Sequence, residues 1–439
     1  MLSEPINIQT HIKGLHHKAK GDKVIWAAVF LLVLFSLLVV YSATGSLAYK
    51  MHKGNTEVYL FKQTAFIAVG LIVIYFAHRV NYTIYAKLAK VLFLLSIPLL
   101  IYTLFFGVTL NEGSRWIRLP IVNMTMQTSD LAKLSLFMLL ARLLSRKQSK
   151  IKDFKKGFLP VMIPVAVTCM LIAPANLSTA LLLGISCMLL LFIGRVNGKH
   201  LLMVIGAALI PVMALVMAAV IKHKSIDEEA EVKKEKSSRL TARVDTWISR
   251  VEGFMYGNKD ENHQSTYHVN QMKIAIANGG ILGMGPGNST QRNFTPHPYS
   301  DSIYSTIIEE YGLLGGALII FIYLVFLYRS IRLFKRCPYA FGAFLALGLS
   351  FTLVLQALTN MAVNVNLFPI TGVTLPLVSM GGSSFLFTCL SIGIILSVAR
   401  NVEQLEGKKE RQEKAAAEKA DAEENEEVEV EEAEGAVVV

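Results

Sequence analysis

Apolar runs of about 18–25 residues, long enough to cross roughly 30 Å of hydrocarbon as helices, recur along this chain. They fall at 24–43, 59–78, 87–106, 127–144, 158–175, 177–193, 201–221, 303–328, 339–359 and 384–399. The pattern predicts an all-α integral membrane protein of about ten transmembrane helices. The first run, Val24–Ala43, is too long for a signal-peptide core and reads as a retained helix. Between the seventh and eighth runs lies a large polar loop, 222–302. Before the last run, Pro369 to Ser384 is too apolar for a free loop and too broken by Pro and Gly for a helix. A re-entrant segment packed in protein or lining a cavity is expected there. The chain thus divides into a basic N-terminus (1–23), a polytopic domain (24–400) and a charged tail (401–439). The tail has helix-forming composition but no apolar face, and is expected to be solvated or disordered.

Charge settles the orientation. Counted from a cytoplasmic start, the basic stretches Arg142 to Lys156, Arg195 to His200, Arg329 to Arg336 and Arg400 all fall on the inner side, as the positive-inside rule requires. Both termini are therefore expected on the cytoplasmic side, with 222–302 outside. A composition that is 53% hydrophobic and 17% charged, with mean hydropathy +0.48, excludes a soluble enzyme. The net charge of +11 suggests nucleic acid, but its basic residues flank hydrophobic runs, as topology signals do. The four cysteines (Cys169, Cys187, Cys337, Cys389) are spaced for neither disulfides nor zinc.

Candidate chemistry gathers on the outer side. Gly279 to Gly287 is rich in glycine, including Gly280, Gly283 and Gly285, which permits positive φ and close approach of a backbone or a ligand. Asp301 follows a Pro-His-Pro-Tyr-Ser rim and opens the eighth run, as a helix cap or as a functional carboxylate. Glu309 and Glu310 lie roughly 12 Å deeper, where charge is costly; one is expected to pair with a base such as Lys133 or Arg115. Arg115 beside Trp116 is either an interfacial anchor or a phosphate contact. Gln127, Asp130 and Lys133 recur every third residue, so Lys133 either pairs with Asp130 or lines a polar pocket. Lys222–Ser238 reads as a solvated helix or a hinge. Arg239, Arg243, Trp247 and Arg250 form one stripe if helical, suited to anionic headgroups or simply solvated. Asn360 and the Ser379, Gly381, Gly382, Ser383 and Ser384 group end the set, the latter as anion donors. The glycines are no dinucleotide fingerprint, since no strand–turn–helix context surrounds them.

From Lys23 to Arg400 the sequence resembles the SEDS family (shape, elongation, division and sporulation), with wording nearer its FtsW type than its RodA type. The resemblance rests on Arg115-Trp116, Gln127-Thr-Ser-Asp-Leu-Ala-Lys133, Arg239 to Arg243, Gly279 to Gly285, Asp301 with Glu309-Glu-Tyr-Gly312, and Pro369 to Ser384. It implies a peptidoglycan glycosyltransferase that polymerises lipid II outside the membrane, beside a class B penicillin-binding transpeptidase and other division proteins. It places the essential acid on Asp301, the outer-loop arginine on Arg243, and the Arg-Trp pair and fourth-helix lysine on Arg115, Trp116 and Lys133. Four positions in three places depart from the family pattern: Thr128 and Asp130 where it has Pro and Glu, Asn176 for an acid, and Ser302 for an aromatic.

The chemistry asks for a base at the acceptor hydroxyl and cations at the leaving lipid pyrophosphate. Asp301 is assigned the first role. Arg243, Arg115, Lys133 or a divalent ion such as Mg or Mn is assigned the second. Two other readings use some of the same residues: a lipid II flippase, for which intramembrane Lys133, Glu309 and Glu310 would serve, and a division scaffold hooked by the acidic tail. Lipid-linked glycan and membrane lipid are expected partners; nucleic acid is not.

Overall fold

The computed structural model describes residues 21–45, 47, 56–110, 113–118, 125–226, 239–256 and 264–437. The basic segment 1–20 and the charged stretch at 227–238 lie outside the described residues, as do the side chains of Arg115 and 222–243. Helices α1 (Lys23–Ala43), α2 (Glu57–Arg79) and α3 (Tyr82–Phe106) come first, the last two with Thr56 and Asn81 at their starts. Next stand α4 (Thr128–Lys147), α5 (Leu159–Ile172), α6 (Leu177–Ile193) and α7 (Gly198–Ile226). The outer loop carries α8 (Arg239–Tyr256) and α9 (Gln264–Gly279). The bundle closes with α10 (Ile303–Arg336), α11 (Ala340–Asn364) and α12 (Gly382–Val437).

Eight helices are long and apolar enough to span a membrane among the described residues. The expected number was about ten. Leu177–Ile193 has only 17 residues, and α4 carries Asp130, Lys133, Arg142, Arg146 and Lys147, so neither qualifies on length and hydropathy. The fold class is helical as expected, with one small addition: after α3, β1 (Val108–Leu110), β2 (Gly113–Arg118) and β3 (Thr125–Gln127) form a short antiparallel sheet. Helix α12 continues from the bundle through the tail to Val437, the state that the tail's Glu, Lys and Ala content favours.

Burial divides the helices. The apolar stretches of α11 and α12 are mostly enclosed, whereas α7 shows nearly all of its surface. Exposed Leu202, Ile210 and Met213 on α7, and Phe321 and Tyr328 on α10, form the apolar exterior that lipid requires. At the end of α10 away from Asp301, Asp22 pairs with Arg329 at 2.6 Å, and Arg336 pairs with Glu406. The amide of Gly21 donates to Glu403 at 2.7 Å. These bonds tie the start of α1 to the far end of α10 and the middle of α12.

The glycine stretch has a structural partner that its sequence did not reveal. Gly312 adopts φ 69° and ψ −174°, which breaks α10. The break leaves the carbonyls of Glu309 and Glu310 without their i+4 donors. The amides of Met284 and Gly285 take those places, at 2.9 and 3.0 Å, while Leu313 and Leu314 donate to Gly280 and Ile281. The two backbones lie so close that a Cβ on Gly283 would sit 2.3 Å from the Glu310 carbonyl oxygen, and one on Gly312 2.1 Å from that of Ile281. Gly280, Gly283 and Gly285, expected as substrate contacts, therefore dock the outer loop onto a broken helix. The Gly285 amide in particular is engaged by Glu310.

Gly283→Ala combines φ +84° with that steric overlap. It should destabilise the protein by about 2 kcal/mol or more, read as a lowered thermal unfolding midpoint in detergent. Ala at Gly198, where a Cβ meets nothing within 4 Å, should change it little.

Candidate active site

Asp301 sits just before α10, whose N-cap is Ser302 without a side-chain cap bond, so Asp301 does not serve as the cap. Its carbonyl oxygen is gripped from α11: the Nδ2 groups of Asn360 and Asn364 each donate to it at 2.8 Å. Gln356, Asn360 and Asn364 stand at i, i+4 and i+8, one stripe on an otherwise apolar helix. Asn364 also accepts the amide of Ser305 at 3.1 Å, which locks the first turn of α10 in place. The backbone at Asp301 is thus held by groups of a different helix.

The carboxylate is half-buried, and its Oδ1 is enclosed without a hydrogen-bond partner. From α9, buried His268 places Nε2 2.5 Å from Ser302 Oγ. His297 and Tyr299 form the rim, Nδ1 to hydroxyl 3.3 Å. Burial pushes the Asp301 carboxyl above its ordinary value; His268, His297 and the amides of Asp301 and Ser302 act in the opposite direction. Burial likewise holds His268 below its usual value, against the pull of Asp301. A half-buried carboxylate with enhanced proton affinity can accept a proton from a hydroxyl brought to its accessible side.

The segment between α11 and α12 seals this site. Thr371, Val373, Leu375, Leu377, Val378 and Ser379 are buried along it, as a re-entrant segment enclosed by protein should be. Ser379 Oγ donates to the Ser300 carbonyl at 2.5 Å, and the Met380 amide donates to that of Tyr299 at 2.9 Å. Asn360 reaches the Val373 carbonyl at 2.7 Å and Gln356 that of Thr374 at 3.0 Å. On the other flank Ser383 Oγ accepts the Gln127 amide at 3.2 Å, and Gln127 is opposite Trp116 in the sheet. The Ser379 and Ser384 amides already bond to Leu375 and Gly381, so these two are not available as anion donors. Gly381 and Gly382 make the turn into α12, Gly382 with φ 47°.

Lys133 pairs with Asp130 at 2.7 Å and reaches Gln356 at 3.5 Å. Both residues line a cavity with Thr352, Gln356 and Ser384. The internal pair and the polar pocket, set as alternatives by sequence, are therefore both present. The expectation for the deeper acids is corrected. Glu309 accepts the Ser289 hydroxyl, the Thr290 amide and hydroxyl at 3.1 and 3.0 Å, and the Gln291 amide at 3.1 Å. Glu310 accepts the Ser42 hydroxyl, to which Arg292 donates at 2.8 Å. These acids hold the 289–292 turn rather than Lys133. The side chains of Arg115 and Arg243 lie outside the described residues, although helix α8 gives the Arg239-to-Arg250 stripe its expected helical form.

Sequence reading missed His268, Gln356 and Asn364. The amide stripe was legible, since three amides at a helical repeat in an apolar run need partners. His268 gave no signal, because only the packing of α9 under Ser302 makes it relevant. Among the described residues no three His, Cys, Asp or Glu side chains gather as a metal site. The donor set around Asp301 does not form a divalent-ion cage by itself.

Residues 22–404 match the model of the family described as Cell cycle protein, FTSW_RODA_SPOVE. The chain belongs to this family. Among its relatives, a probable peptidoglycan glycosyltransferase FtsW of Geobacter sp. (strain M18) is 31% identical over 86% of this chain and 96% of its own length. Stage V sporulation protein E of Bacillus subtilis (strain 168) is 29% identical over 87% and 98%. The fold is shared with a chain from a peptidoglycan synthase complex that coordinates polymerization and crosslinking: TM-score 0.63, 23% identity, covering 88% of this chain and 99% of that one. Membership also makes the chain a multi-pass membrane protein.

Because the folded state holds a proton on Asp301 more tightly than the unfolded chain does, its contribution to stability is greatest at low pH. That contribution is lost as pH rises through the elevated folded value. Asp301→Asn should remove this component. Thermal unfolding followed from acid to neutral pH should show the wild type falling relative to the variant.

Proposed function

We propose that this chain is a peptidoglycan glycosyltransferase that polymerises lipid II on the outer face of the bacterial cytoplasmic membrane during septal wall synthesis, with both termini inside. Its relatives' names and its family support the enzyme class. The observation that carries the assignment of the base is the half-buried Asp301 carboxyl, its proton affinity raised by burial, on a backbone clamped by Asn360 and Asn364. Asp301 takes the proton of the acceptor sugar hydroxyl as that oxygen attacks the anomeric carbon of the donor. The bond to lipid pyrophosphate breaks, and the configuration at that carbon inverts. One carboxylate without a neighbouring nucleophile fits direct displacement better than a covalent intermediate. His268, whose proton affinity burial lowers, positions Ser302 and the start of α10.

Lys133, Arg115, Trp116, Gln127 and Arg243 remain the proposed contacts for the lipid-linked substrate. A magnesium or manganese ion, if one takes part, would be brought largely by the pyrophosphate oxygens. A class B penicillin-binding transpeptidase is the proposed partner, in keeping with the complex that shares this fold. The flippase reading loses support, because Glu309 and Glu310 are engaged by the 289–292 turn and Ser42 and so do not line a path through the bilayer.

Asp301→Asn should abolish glycan synthesis from lipid II by the purified protein with its transpeptidase partner, while lipid II binding is retained. Polymer made by the variant at the wild-type rate would falsify the assignment. In the wild type, the acidic limb of the pH–rate profile should lie above the ordinary carboxylate range, activity falling as pH drops through it.

A further inference from the structure

At the end of the bundle away from Asp301, where the basic flanks gather, several arginines find partners inside the chain. Arg329 pairs with Asp22 at 2.6 Å and Arg336 with Glu406, and the Arg142 guanidinium donates to the Ala86 carbonyl at 2.8 Å. Arg400 of α12 differs. It is half-buried, its Nε is enclosed without a hydrogen-bond partner, and none of the ion pairs among the described residues includes it. Glu403, one turn further on, accepts the Gly21 amide instead. The charged side chain that acts on Arg400 is Arg79, the last residue of α2, and it repels.

Helix packing forces this pair together. Helices α2 and α12 run parallel and touch closely: a Cβ on Gly70 would lie 2.7 Å from Cys389 Sγ, and one on Gly393 2.6 Å from that of Ala77. Near the inner end, Ser397 Oγ donates to the Val80 carbonyl at 2.5 Å. That register brings Arg79 and Arg400 to one level. Two like charges so placed are costly unless an anion lies between them, and a buried guanidinium N–H without an acceptor calls for a ligand. Arg79 gives one donor to the Tyr75 hydroxyl at 2.7 Å and lies over that ring, 5.1 Å from its centroid. Tyr75, Phe76 and Ile72 are exposed along the same outer surface of α2, where acyl chains run.

A phosphate matches the need, since it takes the planar guanidinium fork two oxygens at a time. The cytoplasmic leaflet supplies such groups, and basic pockets between helices on that side take them. We propose that Arg79 and Arg400 form a site for one anionic phospholipid, its phosphate between the two guanidinium groups and an acyl chain along Ile72 and Phe76. A free phosphate ion would lack the second contact. The bound lipid fastens α2 to α12 and takes no part in the chemistry at Asp301. The orientation proposed above decides only which leaflet provides the lipid.

The test uses the full-length protein, delipidated in a non-ionic detergent, with phosphatidylglycerol as probe and zwitterionic phosphatidylcholine as control. Native mass spectrometry should find phosphatidylglycerol bound at least ~10-fold more tightly, the scale of one or two charge-assisted contacts. Arg79→Gln with Arg400→Gln should abolish that preference, and Arg79→Lys with Arg400→Lys should keep part of it. Arg79→Gln alone, at an exposed position, should weaken it several-fold without disturbing the fold. Phosphatidylglycerol should raise the thermal unfolding midpoint of the wild type and leave that of the Gln pair unmoved. Lys87→Gln with Lys90→Gln removes the same charge from exposed positions on α3 and should change nothing. An equal loss in that lysine pair would mean diffuse attraction and overturn the site, as would an unaltered preference in Arg79→Gln and in the Gln pair. Inorganic phosphate at millimolar concentration should not displace the lipid; displacement would make this a free-anion site and end the lipid assignment.

Discussion

The site depends on one interrupted helix. A transmembrane helix cannot leave main-chain carbonyls bare in a low-dielectric surrounding without a cost of several kcal/mol each. The break at Gly312 frees two carbonyls and two amides, and the turn from Gly280 to Gly285 supplies partners to all of them. This reciprocal pairing welds the outer loop to α10 by backbone alone. Side chains then act on a fixed frame: Glu309 gathers the 289–291 amides and hydroxyls, and the chain from 293 to 301 has both ends set.

A second constraint comes from α11. In an apolar helix, each buried amide must find a partner, and Gln356, Asn360 and Asn364 find theirs outside the helix. They bond to Thr374, Val373 and Asp301. The same stripe therefore positions the re-entrant segment and the candidate base. Ser379 and Met380 close the loop by bonding back to Ser300 and Tyr299. The result is a half-buried carboxylate whose backbone is held rigidly, the combination that proton transfer to a positioned group requires.

Local pattern and topology were read in the residues because each has a local cause. Hydrophobic runs of spanning length, basic flanks and the broken Pro369-to-Ser384 stretch are properties of short windows, and a bilayer turns such windows into elements. Asp301 stands out as a candidate through its position at the mouth of an apolar run. The eighth helix's interruption was not, since Gly312 reads as one small residue among several until another backbone is placed beside it.

By itself the sequence determined a polytopic helical protein, its separation into a bundle and an outer loop, and the family to which it belongs. Tertiary structure decided what the polar residues do. It turned the glycine stretch from a ligand cradle into a helix partner, gave Glu309 and Glu310 to a turn instead of a lysine, and brought His268 beneath Ser302. The reason is physical: apolar periodicity is encoded residue by residue, whereas the partner of a buried polar group is selected by which distant segment arrives next to it. For Asp301 that segment was α11, some sixty residues further along the chain.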